Sequence, residues 1–394
     1  MPAKKVAFVV QRYGMEVNGG AEFHCRLVAE HLSKYFDVEV LTTCAVDYVT
    51  WKNEYSTGTE TLNGVLVRRF PVDYERDLPK FNKFSEKIFG NIHTYEDEVE
   101  WMKLQGPYST KLFDYIKNNE NNYTCFIFFT YLYCTTFFGL PLVKEKALLV
   151  PTAHDEPPIY LSIFGSFFNC PRWFIYNTEE EKNFVISKFR VSNIPSDVVG
   201  VGIDIPDEID SASFVQKYNL DDFVIFVGRV DESKGCQELF DYFLRYKKEN
   251  KSSIKLVLLG KQIMEIPKNP DILSLGFVSE KDKFNGIKSA KLLIMPSKYE
   301  SLSMVLLESW LCNTPVLVNG ECDVLKCQCI RGNAGLYYEN YDEFKACLDF
   351  LLADDRMRNA MGENGTKFVL QNYSWENIEK KYISILQKIE NSLR

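Results

Sequence analysis

Residues 6–43, VAFVVQRYGMEVNGGAEFHCRLVAEHLSKYFDVEVLTT, read as strand, turn, helix and strand. VAFVV is a continuous apolar run of strand length, the pattern of a parallel strand covered on both faces. A glycine-containing turn follows, then a helical stretch over AEFHCRLVAEHLSKYF (21–36) and a second strand, VEVLTT (38–43). Two strands joined through a helix make a βαβ unit, whose crossover is right-handed. The chain therefore belongs to the α/β class with a parallel sheet.

The alternation continues outward from this unit. Further strands are predicted at VLVRRF (65–70), CFIFF (125–129), ALLVP (147–151), WFIYN (173–177) and DVVGV (197–201), with a mostly helical, charged region between Asp77 and Asn122. The second half repeats the plan with different residues. FVIFVG (223–228), KLVLLG (255–260), ILSLGF (272–277), KLLIMP (291–296), PVLVNG (315–320) and GLYYE (335–339) read as strands. Helices are predicted over 235–250, 279–290 and 303–313, and two more, 357–371 and 374–394, follow the last strand. The polar, proline-containing segment IDIPDEID (203–210) marks a boundary between two α/β halves. Two open parallel sheets would each bind ligands outside the carboxyl ends of their strands. Their loops would then line a cleft.

Composition narrows the function classes. In 394 residues, 46% are hydrophobic and 25% charged, so disorder, collagen and coiled coil are excluded. Lys+Arg 46 against Asp+Glu 54 gives a net charge of −8 with no basic stripe, which disfavours nucleic acid as a partner. Eleven cysteines, mostly inside apolar runs, suit small hydrophobes in a reducing, cytoplasmic setting. Cys322, Cys327 and Cys329 lie close in sequence, but no histidine is near and the spacing fits no zinc pattern, so no metal is expected. Tyr123–Val143 carries no charge over a length that could span a bilayer, yet its threonines, tyrosines, glycine and proline read better as a buried strand leading into a helix.

Four constellations could carry chemistry. Gly19 and Gly20 precede a helix start, where backbone N–H groups and the helix dipole suit an anion, although a tight turn alone gives the same pattern. Arg229 and Lys234 in FVGRVDESKG (226–235) follow a strand and could grip a diphosphate, or could be two solvated cations. In PSKYESLSMVLLESW (296–310), Glu300 and Glu308 flank seven residues. A helix starting near Ser301 or Leu302 would put Glu300 at its mouth and Glu308 two turns in, where carboxylates could accept from the hydroxyls of a ribose and a sugar. The plainer reading is a dipole-favoured acid and an exposed glutamate. His154 in PTAHDEPP ends a strand and faces the expected cleft. The dinucleotide, P-loop and nucleophile-elbow fingerprints are absent.

In order along the chain, NGGAE, PTAHD, YNTEEE, VGVGID, FVGRVDESKG, PSKYESLSMVLLES and TPVLVNG resemble the motifs of retaining glycosyltransferases of family 4, which have the GT-B fold. The likeness is strongest from Val224 to Val318. It implies two Rossmann-like doubly wound domains facing a cleft, residues 1–203 with 374–394 and residues 204–373, the final helix crossing back to the N-terminal domain. It also implies roles. Glu308 matches the acid on the nucleotide ribose, and Glu300 the acid beside the donor sugar. The N–H groups of Leu302, Ser303, Met304 and Val305 match those at the donor sugar or phosphate. Arg229 and Lys234 match the basic pair on the diphosphate, Gly19 and Gly20 the glycine loop facing it, His154 the histidine at the donor sugar, and Val278 the backbone contact to the base. SLSM after Glu300 departs from the family's usual residues.

The resulting expectation is a metal-independent retaining glycosyltransferase that takes a UDP- or GDP-linked sugar and needs no further cofactor. A glycan or lipid-linked saccharide would be the acceptor. The protein would be cytoplasmic, with a peripheral membrane contact through the apolar run IYLSIFGSFF (159–168), unless that run is a core helix. A GT-B module that binds a glycan or nucleotide without turnover is the alternative.

Overall fold

The structure is a computed structural model that describes residues 5–17 and 19–393; Asn18 of the NGGAE segment lies outside them. The chain divides into two compact units, one running to Gly202 and resuming at Trp375, the other spanning Ile203–Ser374.

The first unit is built on an eight-stranded sheet. Its strands are β1 (Lys5–Val9), β2 (Asp37–Thr43), β3 (Gly58–Leu62), β4 (Val65–Phe70), β5 (Cys125–Phe129), β6 (Ala147–Val150), β7 (Trp173–Tyr176) and β8 (Ser196–Val198). The order is β3-β4-β2-β1-β5-β6-β7-β8, parallel throughout except for β3 against β4. The apolar runs explain the centre: every residue of β5 and β6 is buried, as a strand with helices on both faces requires. The helix Gly20–Leu32 stops short of the expected Phe36, leaving four residues to reach β2.

Strand β3, GTETL, is an element that apolar periodicity passes over, because nearly all of it is exposed. It exists as one arm of a hairpin. Asn63 and Gly64, both at positive φ, join Leu62 to Val65 in a two-residue loop, and Asn-Gly is the dipeptide that favours such turns.

The run IYLSIFGSFF is core. Ile159, Ile163, Phe164 and Phe168 are fully buried, with Phe164 against Tyr131 (centroids 4.9 Å) and Phe168 stacked on Phe189 (4.1 Å). The exposed Ile and Phe from which a membrane contact is expected are therefore corrected: apart from Tyr160, which is 60% exposed, the segment's apolar side chains are taken up by the sheet's helical layer. Among the described residues no helix is long and apolar enough to cross a membrane. The final helix, Trp375–Leu393, packs in this unit. Its Trp375 ring stacks on His31 at 3.5 Å, and Glu379 accepts from Tyr35 Oη at 2.8 Å.

The second unit has six parallel strands, β9 (Phe223–Val227), β10 (Lys255–Leu259), β11 (Ile272–Ser274), β12 (Leu293–Met295), β13 (Val316–Asn319) and β14 (Gly335–Tyr338), in the order β11-β10-β9-β12-β13-β14. Strand order reverses between β9 and β12, and ligands of doubly wound sheets bind at such a switch point. The two loops leaving these strands touch. Gly235 has φ +75°, and a Cβ built there would lie 2.2 Å from the Pro296 carbonyl oxygen. Replacing Gly235 by alanine adds backbone strain and forces the loops apart. Gly235→Ala is expected to lower unfolding free energy by about 2 kcal/mol or more, read from urea denaturation; an unchanged midpoint would contradict the close approach.

Candidate functional site

At the switch point of the second unit, the chain leaves β9 through Gly228 and Arg229 into a single 3₁₀ turn, Glu232–Lys234. Asp231 organises it. Its carboxylate accepts from Lys234 N at 2.9 Å and Ser233 Oγ at 2.7 Å, and pairs with Arg229 Nε at 3.1 Å. Lys234 is thereby aimed across to the loop after β12, where its Nζ donates to Glu300 Oε1 at 2.7 Å. Glu300 is 13% exposed against 29% for its partner Lys234, so the acid is the more sheltered of the two; Arg229, paired with Asp231, is 41% exposed.

The helix behind Glu300 begins at Met304, not at Ser301 or Leu302. Ser303 adopts φ +70°, ψ +89°, which no helical residue can, so Leu302 and Ser303 form the approach to the helix rather than its first turn. Leu302 is buried and its carbonyl accepts from Gln328 Nε2 at 3.1 Å. Met304 and Val305, half-buried, supply the first helical N–H groups.

Glu308, one turn in, is 3% exposed. Its Oε1 accepts from Lys283 Nζ at 2.8 Å, and Lys283 also reaches Glu280 Oε2 at 2.7 Å. Glu308 Oε2 is buried with no hydrogen-bond partner among the described residues. Burial raises the Glu308 carboxyl above its ordinary value, with Lys283 pulling part of that back. Burial depresses Lys283, but Glu308 and Glu280 outweigh it and hold the ammonium above its ordinary value. Lys283 lies on the helix Glu280–Ser289, and Val278 sits half-buried in the loop just before that helix. The exposed-glutamate reading of Glu308 is thus excluded. Glu300 and Glu308 do not share a cation; each has its own lysine.

In the first unit, Gly19 precedes the helix Gly20–Leu32, and a Cβ on it would meet Glu22 Oε2 at 2.3 Å. Glu22, in the first helical turn, is held by Arg12 Nε at 2.9 Å, both side chains being buried. His154 follows β6 with Nδ1 3.6 Å from Glu156 Oε1, which accepts from Tyr131 Oη at 2.7 Å.

Sequence reasoning missed Lys283, Asp231 and Arg12. An aspartate three residues before Lys234 is a turn-capping signal that could have exposed Asp231. Lys283 stands in a run of charges and carries no such mark. Eight of the eleven cysteines, Cys322 and Cys329 among them, are buried. Among the described residues no three His, Cys, Asp or Glu side chains are grouped to hold a metal ion.

Residues 209–388 match the family model described as Glycosyl transferases group 1. An uncharacterized glycosyltransferase of Methanocaldococcus jannaschii is 26% identical over 223 residues, 54% of this chain. The chain spans 55% of that relative's length. Among solved structures, sucrose-phosphate synthase from Thermosynechococcus elongatus superposes with a TM-score of 0.72 at 15% identity, covering 99% of this chain and 100% of that one. Anabaena HepE in complex with UDP and glucose gives 0.71 at 15%, covering 98% and 100%. These likenesses carry the fold, which is GT-B.

The buried pair makes a pH-dependent prediction. Lys283→Met leaves Glu308 buried without its cation, a change that typically costs about 3–5 kcal/mol. Because burial raises the folded carboxyl above its unfolded value, this destabilisation grows as pH rises above the ordinary carboxylate range and shrinks as Glu308 takes up a proton. Urea midpoints of the variant should fall further below wild type at pH 8 than at pH 5. A pH-independent difference would contradict the pairing.

Proposed function

We propose that this chain is a glycosyltransferase that moves a sugar from a nucleoside diphosphate, UDP or GDP, to a glycan or lipid-linked saccharide, with retention and without a metal ion. The reading is supported by the Lys234–Glu300 contact between the loops that follow the neighbouring strands β9 and β12 and by the buried Glu308 one turn into the next helix, within the residues that match the glycosyltransferase family model.

Each residue takes the role that the resemblance implies. Glu308 is a buried carboxylate with one oxygen held by Lys283 and the other without a hydrogen-bond partner among the described residues, which suits it to accept from a ribose hydroxyl. Arg229 and Lys234 bind the diphosphate, and the N–H groups from Leu302 to Val305 meet the donor phosphate or sugar. Glu300 faces the donor sugar, and the backbone at Val278 meets the base. From the first unit, His154 is assigned to the donor sugar and the backbone of Gly19 and Gly20 to the diphosphate.

When the sugar–phosphate bond breaks, its electron pair leaves on the diphosphate, whose negative charge grows. Fixed cations and N–H groups stabilise that charge more in the transition state than in the ground state. The acceptor hydroxyl bonds the anomeric carbon on the face the diphosphate leaves, and a phosphate oxygen takes its proton. Lys and Arg supply the positive charge in this scheme.

A thermal-shift series with UDP, GDP, ADP, CMP and NAD tests the donor. A ligand that binds only the folded state stabilises it by about 2.7 kcal/mol at a hundred times Kd. One diphosphate alone should raise Tm. A shift with NAD alone, or with none of them, would overturn the proposal.

Turnover tests the site. Lys234→Ala and Glu308→Ala should each lower donor turnover by about 10²–10³-fold, the usual cost of one charge-stabilising contact, with unchanged circular dichroism. Near wild-type rates in either variant would show that the site lies elsewhere.

A further inference from the structure

The segment YNTEEE contains Thr178-x-x-Glu181, the spacing of a capping box, in which the acid bonds back to the first backbone N–H of its own helix. Thr178 plays its part: its Oγ1 accepts from Glu181 N at 3.2 Å, opening the helix Glu179–Phe189. The Glu181 carboxylate is directed elsewhere. Oε2 accepts from Asn177 N at 2.6 Å, and Oε1 accepts from Ala153 N at 2.7 Å, in the loop that follows the neighbouring strand β6. Glu181 is 1% exposed, and among the described residues it makes no ion pair.

Ala153 lies between two residues that need explaining. Thr152 has φ +49°, the left-handed region that a β-branched residue occupies only when its surroundings hold it there. His154 comes next, and the turn at Thr152 sets the direction in which it leaves the sheet. The Ala153 N–H bond to Glu181 fixes the peptide joining Thr152 to Ala153. We propose that Glu181 is a positioning residue for His154, holding the strained Thr152–Ala153 turn that presents the imidazole at the carboxyl edge of the first sheet. The importance of this for turnover rests on the assignment of His154 above.

A simple cap does not account for the arrangement. Burial pushes the Glu181 carboxyl up to about 8, against the two amides that pull it down, so the side chain is held inside despite a desolvation cost. Glu179, on the same first turn, is mostly exposed and could meet the helix dipole without that cost. The buried carboxylate is explained by what it ties together, two adjacent strand-end loops, one of which carries His154.

The test reads the imidazole directly. In protein labelled with ¹³C,¹⁵N-histidine, the His154 ring signal is assigned by its loss in His154→Gln. Glu181→Gln places an amide donor against a backbone N–H, and Glu181→Asp is too short to reach both loops. Either variant should move the His154 ring signal while those of His31 and His93 stay in place. An unmoved His154 signal in a folded variant overturns the inference.

A double-mutant cycle on donor turnover gives a second readout. Glu181→Gln should lower kcat at least tenfold in the wild-type background and cost nothing further in His154→Ala. Independent, multiplying losses would overturn the positioning role. The NMR measurement needs no turnover, so a protein without glycosyl transfer would sink the proposed function and leave this inference to be decided by the His154 signal.

Discussion

The second unit's site depends on β9 and β12 lying side by side. A parallel sheet with helices on both faces has no room for polar chemistry on those faces, and the apolar strands show it: all five residues of β9 and all three of β12 are buried. Polar groups can gather only where strands end, and only neighbouring strands can bring their loops together. Lys234 and Glu300, 66 residues apart, meet at 2.7 Å because of this adjacency. Gly235 makes the contact sterically possible, since any side chain there would run into the Pro296 carbonyl. The pair is a consequence of topology before it is a feature of chemistry.

Most of that topology was legible in the amino-acid sequence, for a definite reason. Fully buried strands announce themselves as short apolar runs, and CFIFF, ALLVP and FVIFVG all became central strands. Strand β3 left no such trace, because an exposed edge strand needs no apolar face; only the Asn-Gly turn marked it. The helix after Glu300 starts one residue later than the predicted 303–313 and two to three later than a Ser301 or Leu302 start, because Ser303 sits in the left-handed region and residue type rarely signals that outside glycine and asparagine. For IYLSIFGSFF the sequence supported two readings, and tertiary packing decided between them.

The site residues divide in the same way. Those in loops that follow strands, Arg229, Lys234, Glu300 and His154, can be found by position along the chain. Those that act through another side chain cannot. Lys283 reaches Glu308 from a different helix, and Glu181 reaches the Ala153 backbone from the first turn of the helix that follows the next strand. Nothing in the local spelling of either segment distinguishes these from ordinary helix-surface charges, since the partner is supplied by the fold.

The charges also explain why acids stand where a diphosphate is proposed to bind. Two like unit charges 4 Å apart repel by about 4 kcal/mol at an effective dielectric of 20, so a bare carboxylate beside a leaving diphosphate would oppose the reaction. Here each acid is answered by a cation: Lys234 for Glu300, Arg229 for Asp231, Lys283 for Glu308. Exposed pairs of this kind contribute little to stability, about 0–1 kcal/mol. The buried Lys283–Glu308 pair has a desolvation penalty comparable to its attraction. Stability alone therefore does not account for Glu308, whose second oxygen is buried without a hydrogen-bond partner among the described residues. A carboxylate kept at such a cost, with one oxygen held by Lys283 and the other without a hydrogen bond among the described residues, is the reason for the hydroxyl-accepting role proposed for it.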